Sequence, residues 1–152
     1  MVPVKKVARR VGKGTQFAAL CFRQSKSGGT EILLVTSRGT GRWIPPKGWP
    51  TRGKRPHKAA AQEAFEEAGV KGQIYKVALG RYKFRKNGNT GEQTASEAYI
   101  FPLKVNRLAR EFKEKGQRKL RWFTPKKAAM LVREPKLRKI IREFDPTQLK
   151  TD

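Results

Sequence analysis

Three glutamates, Glu63, Glu66 and Glu67, stand within five residues of one another, although the whole 152-residue chain has only twelve Asp and Glu. On an α-helix, which turns by about 100° per residue, their carboxylates share an arc of roughly 100°. Carboxylates at these spacings repel one another by a few tenths of a kcal/mol per pair, whereas Mg²⁺ prefers such oxygens and shares phosphate oxygens with a substrate. The cluster therefore predicts either a divalent-metal site or an acidic, solvated face paired with Lys and Arg.

A basic loop precedes the three glutamates. The segment 43–50, WIPPKGWP, is rich in Gly and Pro, and four basic residues follow it at positions 52, 54, 55 and 58. Gly lets the backbone approach a ligand closely, and cationic side chains nearby can hold phosphates while the glutamates hold a metal. The combination suggests metal-assisted attack on a phosphoanhydride. The alternative is a surface loop that forms salt bridges with the helix.

Local signals predict the elements that position these residues. Pro56 suits the first turn of a helix rich in Ala and Glu, and Gly69 suits its C-terminal cap. Thr124 followed by Pro125 suits the start of another helix, and β-rich runs occupy much of the remainder. The predicted order is strands 15–23, 30–38 and 42–47, helix 57–68, strands 73–86, 94–108 and 119–123, and helices 125–132 and 135–144. The fold class is therefore α/β (α+β), with helices packed on a mixed β-sheet.

The composition narrows the classes of protein. Thirty-six Lys and Arg give a net charge of +24, which suits nucleic acid, anionic lipid or polyphosphate partners, or reflects solubility alone. The run 104–127 carries ten basic residues and predicts either a polyanion-binding surface or an ordinary solvated face. A single Cys, Cys21, and a single His leave little for zinc fingers, disulfide scaffolds or Ser-His-Asp hydrolases. Cys21 lies in an apolar run, so we expect a buried, unreactive thiol.

The chain length predicts one domain, over 15–146, after a basic and poorly ordered arm, 1–14, and before a short tail, 147–152. No apolar run approaches the roughly 20 residues of a membrane span, so we expect no membrane partner. No apolar stretch of a secretory signal follows the basic arm, which predicts a cytoplasmic protein. The oligomeric state stays open.

The spacing of the acidic cluster resembles the Nudix box: Gly, five residues, Glu, seven residues, then Arg-Glu-aliphatic-x-Glu-Glu-x-Gly-aliphatic. Over residues 48–70, the positions that fit it are Gly48, Glu63, Glu66, Glu67, Gly69 and Val70. Lys54 replaces the first Glu of the box, and Gln62 replaces its Arg. The segments 42–50 and 67–72 are similar to the diphosphoinositol polyphosphate phosphohydrolase branch of the family. The resemblance implies a Nudix-type α/β/α sandwich with a mixed β-sheet.

The resemblance also implies roles for individual residues. Glu63 and Glu67 match the principal ligands of Mg²⁺ or Mn²⁺, with Gly48 in the same metal site, and Glu66 matches a ligand or a water-activating base. Which glutamate is the base, and how many ions bind, stay open. Residues expected to hold the substrate's non-reacting phosphates are Arg42, Lys47, Arg52 and Lys54.

Other candidates have two readings each. Glu92 or Glu97 supplies a further metal carboxylate or is plain surface. His57 is expected to be exposed or locally bonded rather than a metal ligand. Trp43 and Trp49 either flank a base or ring of the substrate or pack beside the loop.

Two functions follow from these features. The first is a metal-dependent Nudix hydrolase that cleaves a phosphoanhydride in a diphosphoinositol polyphosphate, a dinucleoside polyphosphate or another nucleoside diphosphate derivative. The second is a Nudix-like scaffold that binds nucleic acid or other polyanions with little or no turnover, as the charge and the two departures from the box suggest. A panel of phosphorylated substrates distinguishes the two.

Overall fold

A computed structural model describes residues 14–87 and 93–150 of the chain, so residues 1–13 of the predicted arm, and Glu92, lie outside the described residues. The eight strands are β1 (Thr15–Gln24), β2 (Thr30–Thr36), β3 (Trp43–Ile44), β4 (Lys47–Gly48), β5 (Val70–Ile74), β6 (Gly80–Asn87), β7 (Gln93–Leu108) and β8 (Leu120–Phe123). The helices are α1 (Pro56–Ala68), α2 (Pro125–Leu131), α3 (Pro135–Glu143) and a 3₁₀ turn, Pro146–Gln148. No helix within these described ranges is long and apolar enough to cross a membrane.

The strands form one mixed sheet with helices on both faces, which confirms the predicted fold class. β1 pairs in parallel with β7 and antiparallel with β2 and β4, and the pairing of Phe17 with Gly48 sets β4 beside the first half of β1. Helix α1 covers one face, where its small buried residues allow close approach to the sheet. These are Ala59, Ala60, Ala64 and Ala68. Helices α2 and α3 cover the other face through Ala128, Leu137 and Ile141.

Helix α1 begins and ends close to the predicted residues. Pro56 occupies its first turn, and Gly69 adopts φ 72°, the left-handed conformation that a C-terminal cap requires. The Gly69 N–H donates to the carbonyl oxygens of Ala64 and Phe65. A Cβ at position 69 would also overlap the ring of Phe112, so the helix end packs directly against the segment that follows β7.

Two predicted strands are wrong in their bounds. In place of the predicted strand 42–47 the structure has two strands of two residues each, β3 and β4. They are separated because Pro45 and Pro46 have no N–H to donate to a sheet ladder. The predicted strand 73–86 is also two strands, β5 and β6, which occupy successive lengths of β7. The connection between them stays bound to β7 through Tyr75 N–H to Pro102 O and Leu79 N–H to Ile100 O.

Candidate active site

The acidic side of the site is a pair of carboxylates, Glu63 and Glu67, one helical turn apart on α1. Glu67 is only 3% exposed, and its Oε1 is buried without a hydrogen-bond partner. Burial raises the pKa of Glu67 to about 8, although the nearby charge of Arg118 opposes this shift. Burial, followed by the charge of Glu66, also raises the pKa of Glu63. Burial therefore favours the protonated form of Glu67 in the metal-free protein, and a nearby cation would favour its ionised form.

Gly48 explains how strand β4 comes so close to this pair. A Cβ built at position 48 would overlap the carboxylate of Glu63, so a larger residue there would force that side chain to move. Gly48 itself is held in the sheet opposite Phe17 of β1. The first residue of the 48–70 motif therefore lies against one of its glutamates, so that the backbone of Gly48 contacts the Glu63 carboxylate.

Glu66 lies on the same face of α1 but is held by different partners. The Gln62 amide donates a 2.8 Å hydrogen bond to Glu66 Oε2, and Lys113 Nζ is 3.8 Å from Oε1. Gln62 thus orients this carboxylate through a neutral bond, where an arginine would have used a charged one. The Lys113 side chain is 70% exposed, so its attraction for Glu66 is weak and easily exchanged.

Sequence reasoning missed two residues of the site, Glu114 and Arg118. Arg118 is almost fully buried: its Nε donates to Glu114 Oε1 at 2.9 Å and its Nη1 donates to the Thr36 carbonyl oxygen at 3.0 Å. Its Nη2 lies 3.9 Å from Glu67 Oε1, which is close enough for attraction but too far for a hydrogen bond. Arg118 is therefore an internal counter-charge for Glu67 and Glu114.

The segment that carries these two residues, 109–119, is fastened to the end of α1. Ala109 N–H donates to Gly69 O at 2.7 Å, and Glu114 N–H donates to Glu66 O at 2.9 Å. The only sequence signals for this arrangement were an acid amid a run of bases and its i,i+4 spacing from Arg118.

A cleft of about 810 Å³ opens over the acidic pair, and many of the residues on its other sides are cations. Four carboxylates lie together on one side of the cleft, next to Gly48: Glu63, Glu66, Glu67 and Glu114. The basic rim consists of Arg38, Arg42, Lys47, Arg52, Arg85, Lys113 and Arg133. Of the four predicted phosphate-binding residues, three thus reach the cleft. Lys54 is exposed and does not line it.

Two of the rim cations have buried or aromatic neighbours that orient them. Lys47 Nζ donates to Gln16 Oε1 at 2.9 Å and lies 4.1 Å from the centre of the Phe84 ring. Arg42 Nη1 is 3.4 Å from Oε2 of Glu134, a carboxylate that is 7% exposed. Both cations are therefore pre-positioned at the cleft by contacts from the face of the sheet opposite α1.

The remaining candidates lie elsewhere. Glu97 does not line the cleft, and its carboxylate is 3.8 Å from Arg81. His57, in the first turn of α1, is buried at 2% exposure, which excludes the exposed alternative of the two expected for it; its ring is tilted against that of Phe101. Cys21 is fully buried, as expected, and burial raises the pKa of its thiol.

The donor set fits a hard divalent cation. Among residues 14–87 and 93–150, no three His, Cys, Asp or Glu side chains converge as a ready-made metal cage. Mg²⁺ does not need such a cage, since it usually keeps several waters and binds through one or two carboxylates plus substrate phosphates. The unpartnered Oε1 of Glu67, one helical turn from Glu63, is the kind of oxygen that such an ion satisfies.

Comparison with known proteins agrees with this geometry. A family model described as the NUDIX domain matches residues 14–144. The chain belongs to the Nudix family. The Nudix match takes in all the strands and helices that line the cleft and ends with helix α3.

Two curated relatives share substantial identity with this Nudix domain. Nudix hydrolase 12, mitochondrial, of Arabidopsis thaliana is 33% identical over 130 residues, which cover 80% of this chain and 64% of that protein. Diphosphoinositol polyphosphate phosphohydrolase 3-alpha of Mus musculus is 38% identical over 109 residues, which cover 70% of this chain and 61% of that protein. The chain therefore spans less than two thirds of the length of either relative.

Solved structures share the Nudix fold at lower identity. A NUDIX hydrolase from Nitrosomonas europaea superposes with a TM-score of 0.64 at 19% identity, covering 93% of this chain and 98% of that one. An Ap4A hydrolase of C. elegans, in a binary complex, gives a TM-score of 0.58 at 19% identity, covering 84% and 92%.

Proposed function

We propose that this Nudix domain hydrolyses a phosphoanhydride bond in a highly anionic, polyphosphorylated substrate, with Mg²⁺ or Mn²⁺ as cofactor. The observation that carries the proposal is a single cleft in which the buried Glu67 and the half-buried Glu63 face a rim of cations. The acidic pair alone would repel a polyphosphate, and the basic rim alone would bind a polyphosphate without cleaving it. Their combination suits a metal-bridged phosphoanhydride whose outer phosphates lie on the rim.

Each group has a proposed part in the reaction. Glu63 and Glu67 would hold the ion beside the Gly48 backbone, and the ion supplies Lewis acidity that polarises the phosphoryl group and lowers the pKa of the attacking water. Glu66 is the proposed base: it would accept a proton from that water as the new P–O bond forms and the bridging P–O bond breaks. The hydrogen bond from the Gln62 amide would hold the Glu66 carboxylate in one orientation.

The rim would bind phosphates that do not react. Arg42, Lys47 and Arg52 are proposed for this role because all three line the cleft, the first two in fixed positions. Binding energy from such remote phosphates can lower the barrier as well as the KM, so truncated substrates should lose rate as well as affinity. Named relatives act on diphosphoinositol polyphosphates and Ap4A, and both classes would match the charge of the rim.

The experiment is a metal-supplemented screen followed by isosteric variants. Inositol pyrophosphates, dinucleoside polyphosphates, nucleotide sugars and 5′-triphosphorylated RNA are tested with Mg²⁺ or Mn²⁺. On the best substrate, Glu66→Gln and Glu67→Gln should each lower kcat by orders of magnitude with no loss of folded protein by circular dichroism. Glu97→Gln is the matched control, since that carboxylate lies outside the cleft and should leave kcat unchanged. Near-full activity in both site variants would refute the assignment.

Lys54 remains a proposed phosphate-binding residue with a test of its own. Lys54→Glu restores the glutamate of the Nudix box, so it should tighten Mg²⁺ binding and weaken binding of the most highly charged substrates. Separate titrations of Mg²⁺ and substrate measure the two effects. Two unchanged constants would place Lys54 outside the site, as an exposed lysine like many others in this chain.

The high net charge favours a second candidate, a scaffold that binds nucleic acid or other polyanions with little turnover. It predicts binding of unrelated RNA and DNA with a steep log–log dependence on salt, and no phosphate release from any substrate of the screen. Turnover at a useful rate would reject it.

Cell fractionation would test the predicted cytoplasmic location; one relative is named as mitochondrial.

A further inference from the structure

A buried carboxylate, that of Glu134, lies behind the basic rim of the cleft. Glu134 is the N-cap residue of α3, at the junction between α2 and α3. A carboxylate at this position could accept hydrogen bonds from the first N–H groups of the helix, but the Glu134 side chain makes no such bond. Because burial of a charge costs free energy unless a partner compensates it, the neighbours of this carboxylate indicate its role.

These neighbours come from two distant segments of the chain. Arg42 Nη1, at the end of the turn between β2 and β3, donates to Glu134 Oε2 at 3.4 Å, and Glu134 Oε1 is buried without a hydrogen-bond partner. Tyr82 of β6 is buried close to both charges: burial and then the charge of Glu134 raise its pKa, whereas the charge of Arg42 lowers it. At such a place the attraction between Glu134 and Arg42 is stronger than it would be in water.

The backbone of Arg42 is also fixed. Ser37 N–H donates to Arg42 O at 2.8 Å, and the ring of Trp43, the next residue, packs edge-on against Phe123 with ring centres 5.1 Å apart. Of the two tryptophans that flank the loop, Trp49 therefore lines the cleft and Trp43 does not. Arg42 lines the cleft while both its backbone and its guanidinium are held from behind.

We propose that Glu134 is a positioning residue, which orients the guanidinium of Arg42 toward a non-reacting phosphate of the substrate; this role deepens, and rests on, the proposed function. A guanidinium has five N–H donors, so the bond from Nη1 to Glu134 leaves others for a phosphate. Holding one edge of the group in place presents the other edge to the cleft and lowers the entropy lost on binding. An acidic residue would thus favour the binding of an anion by acting through a cation.

The sign of the effect distinguishes positioning from simple charge. Removing a carboxylate near a bound anion should tighten binding by electrostatics alone, whereas loss of positioning should weaken it. The probe is inorganic tripolyphosphate, titrated by calorimetry with a chelator present, so that binding is measured without metal or turnover. We expect Glu134→Gln to raise its Kd by about 3- to 30-fold. Glu134→Asp keeps the charge but shortens the side chain, so its Kd should rise by less.

Two further comparisons test whether Glu134 acts through Arg42. Arg42→Met alone should weaken binding, and adding Glu134→Gln to it should weaken binding no further, because the two residues serve one contact. Glu31→Gln is the matched control: Glu31 is paired with Arg23 at 2.9 Å, and neither residue lines the cleft, so binding should not weaken. Thermal melting checks that every variant is folded, and Glu134→Asp gives the same comparison where Glu134→Gln does not fold.

The tripolyphosphate titration keeps this role separate from the proposed function, because it needs no hydrolysis. If no substrate of the screen is hydrolysed but the Kd values follow the expected order, the proposed function fails while the positioning role stands. If a substrate is hydrolysed but the folded Glu134 variants bind tripolyphosphate as tightly as wild type, or more tightly, the positioning role is overturned. A further loss of affinity in the double variant, or a wild type that does not bind tripolyphosphate, would overturn it as well.

Discussion

Replacing Arg118 by Met tests how the fold tolerates two carboxylates beside each other. The Arg118 side chain is 9% exposed and faces Glu67 and Glu114, whose side chains are 4% and 12% exposed. At an effective dielectric constant of 20, two unit charges about 4 Å apart attract by about 4 kcal/mol, and removal of one partner of a buried pair costs about 3–5 kcal/mol. We therefore expect Arg118→Met to lower the free energy of unfolding by about 3–5 kcal/mol where both carboxylates are ionised.

The size of this loss should depend on pH. Glu67 has a pKa of about 8, and Arg118 opposes the rise, so removing the arginine pushes that pKa higher still. At pH 6 the carboxyl group keeps its proton and loses little when Arg118 is replaced. At pH 9 the Glu67 carboxyl group is ionised in the wild type, where Arg118 stabilises its charge, and the variant lacks this stabilisation. The loss of unfolding free energy should therefore be larger at pH 9 than at pH 6.

Urea unfolding, followed by circular dichroism at both pH values, measures the effect. Lys115→Met is the matched control: its ion pair with Glu111 lies in the same segment at 3.0 Å, but the two side chains are 52% and 86% exposed, so we expect a change below about 1 kcal/mol. Adding Glu67→Gln to Arg118→Met should recover part of the loss. If Arg118→Met costs no more than Lys115→Met at pH 9, Arg118 is not the counter-charge of the site.

Three further outcomes follow from the same geometry. Gly48→Ala places a methyl group where the carboxylate of Glu63 lies, so that side chain must move: Mg²⁺ binding should weaken, as calorimetry would show, while urea titration should find the free energy of unfolding changed by less than about 1 kcal/mol. Because the pKa of Glu67 is raised in the folded state from 4.5 to about 8, the metal-free protein should lose on the order of a few kcal/mol as pH rises through 8, and saturating Mg²⁺ should remove that loss; a metal-free stability that is flat from pH 5 to 9 would contradict it. Cys21 should not react with a thiol reagent in the native protein but should react fully in urea, because its thiol is buried and its pKa raised.

The helix that carries the glutamates could be predicted from the amino-acid sequence alone. Its limits were readable because Pro56 and Gly69 act locally, and the shared face of Glu63, Glu66 and Glu67 follows from the helical period alone. The sequence of strands along the chain was also predictable where a strand is long enough to show its own pattern, apart from the two predicted strands that split; their order in the sheet was not.

Tertiary structure decided what surrounds that helix. Glu114 and Arg118 reach the acidic pair from about fifty residues downstream, and in the sequence they are only one acid and one base within the run 104–127. Which of Trp43 and Trp49 faces the cleft depends on the pairing of two-residue strands, β3 with β2 and β4 with β1. Local propensity places a residue on a helix or a strand. Which charged and aromatic side chains come together depends on contacts between distant segments, because those contacts form only when the whole sheet is assembled.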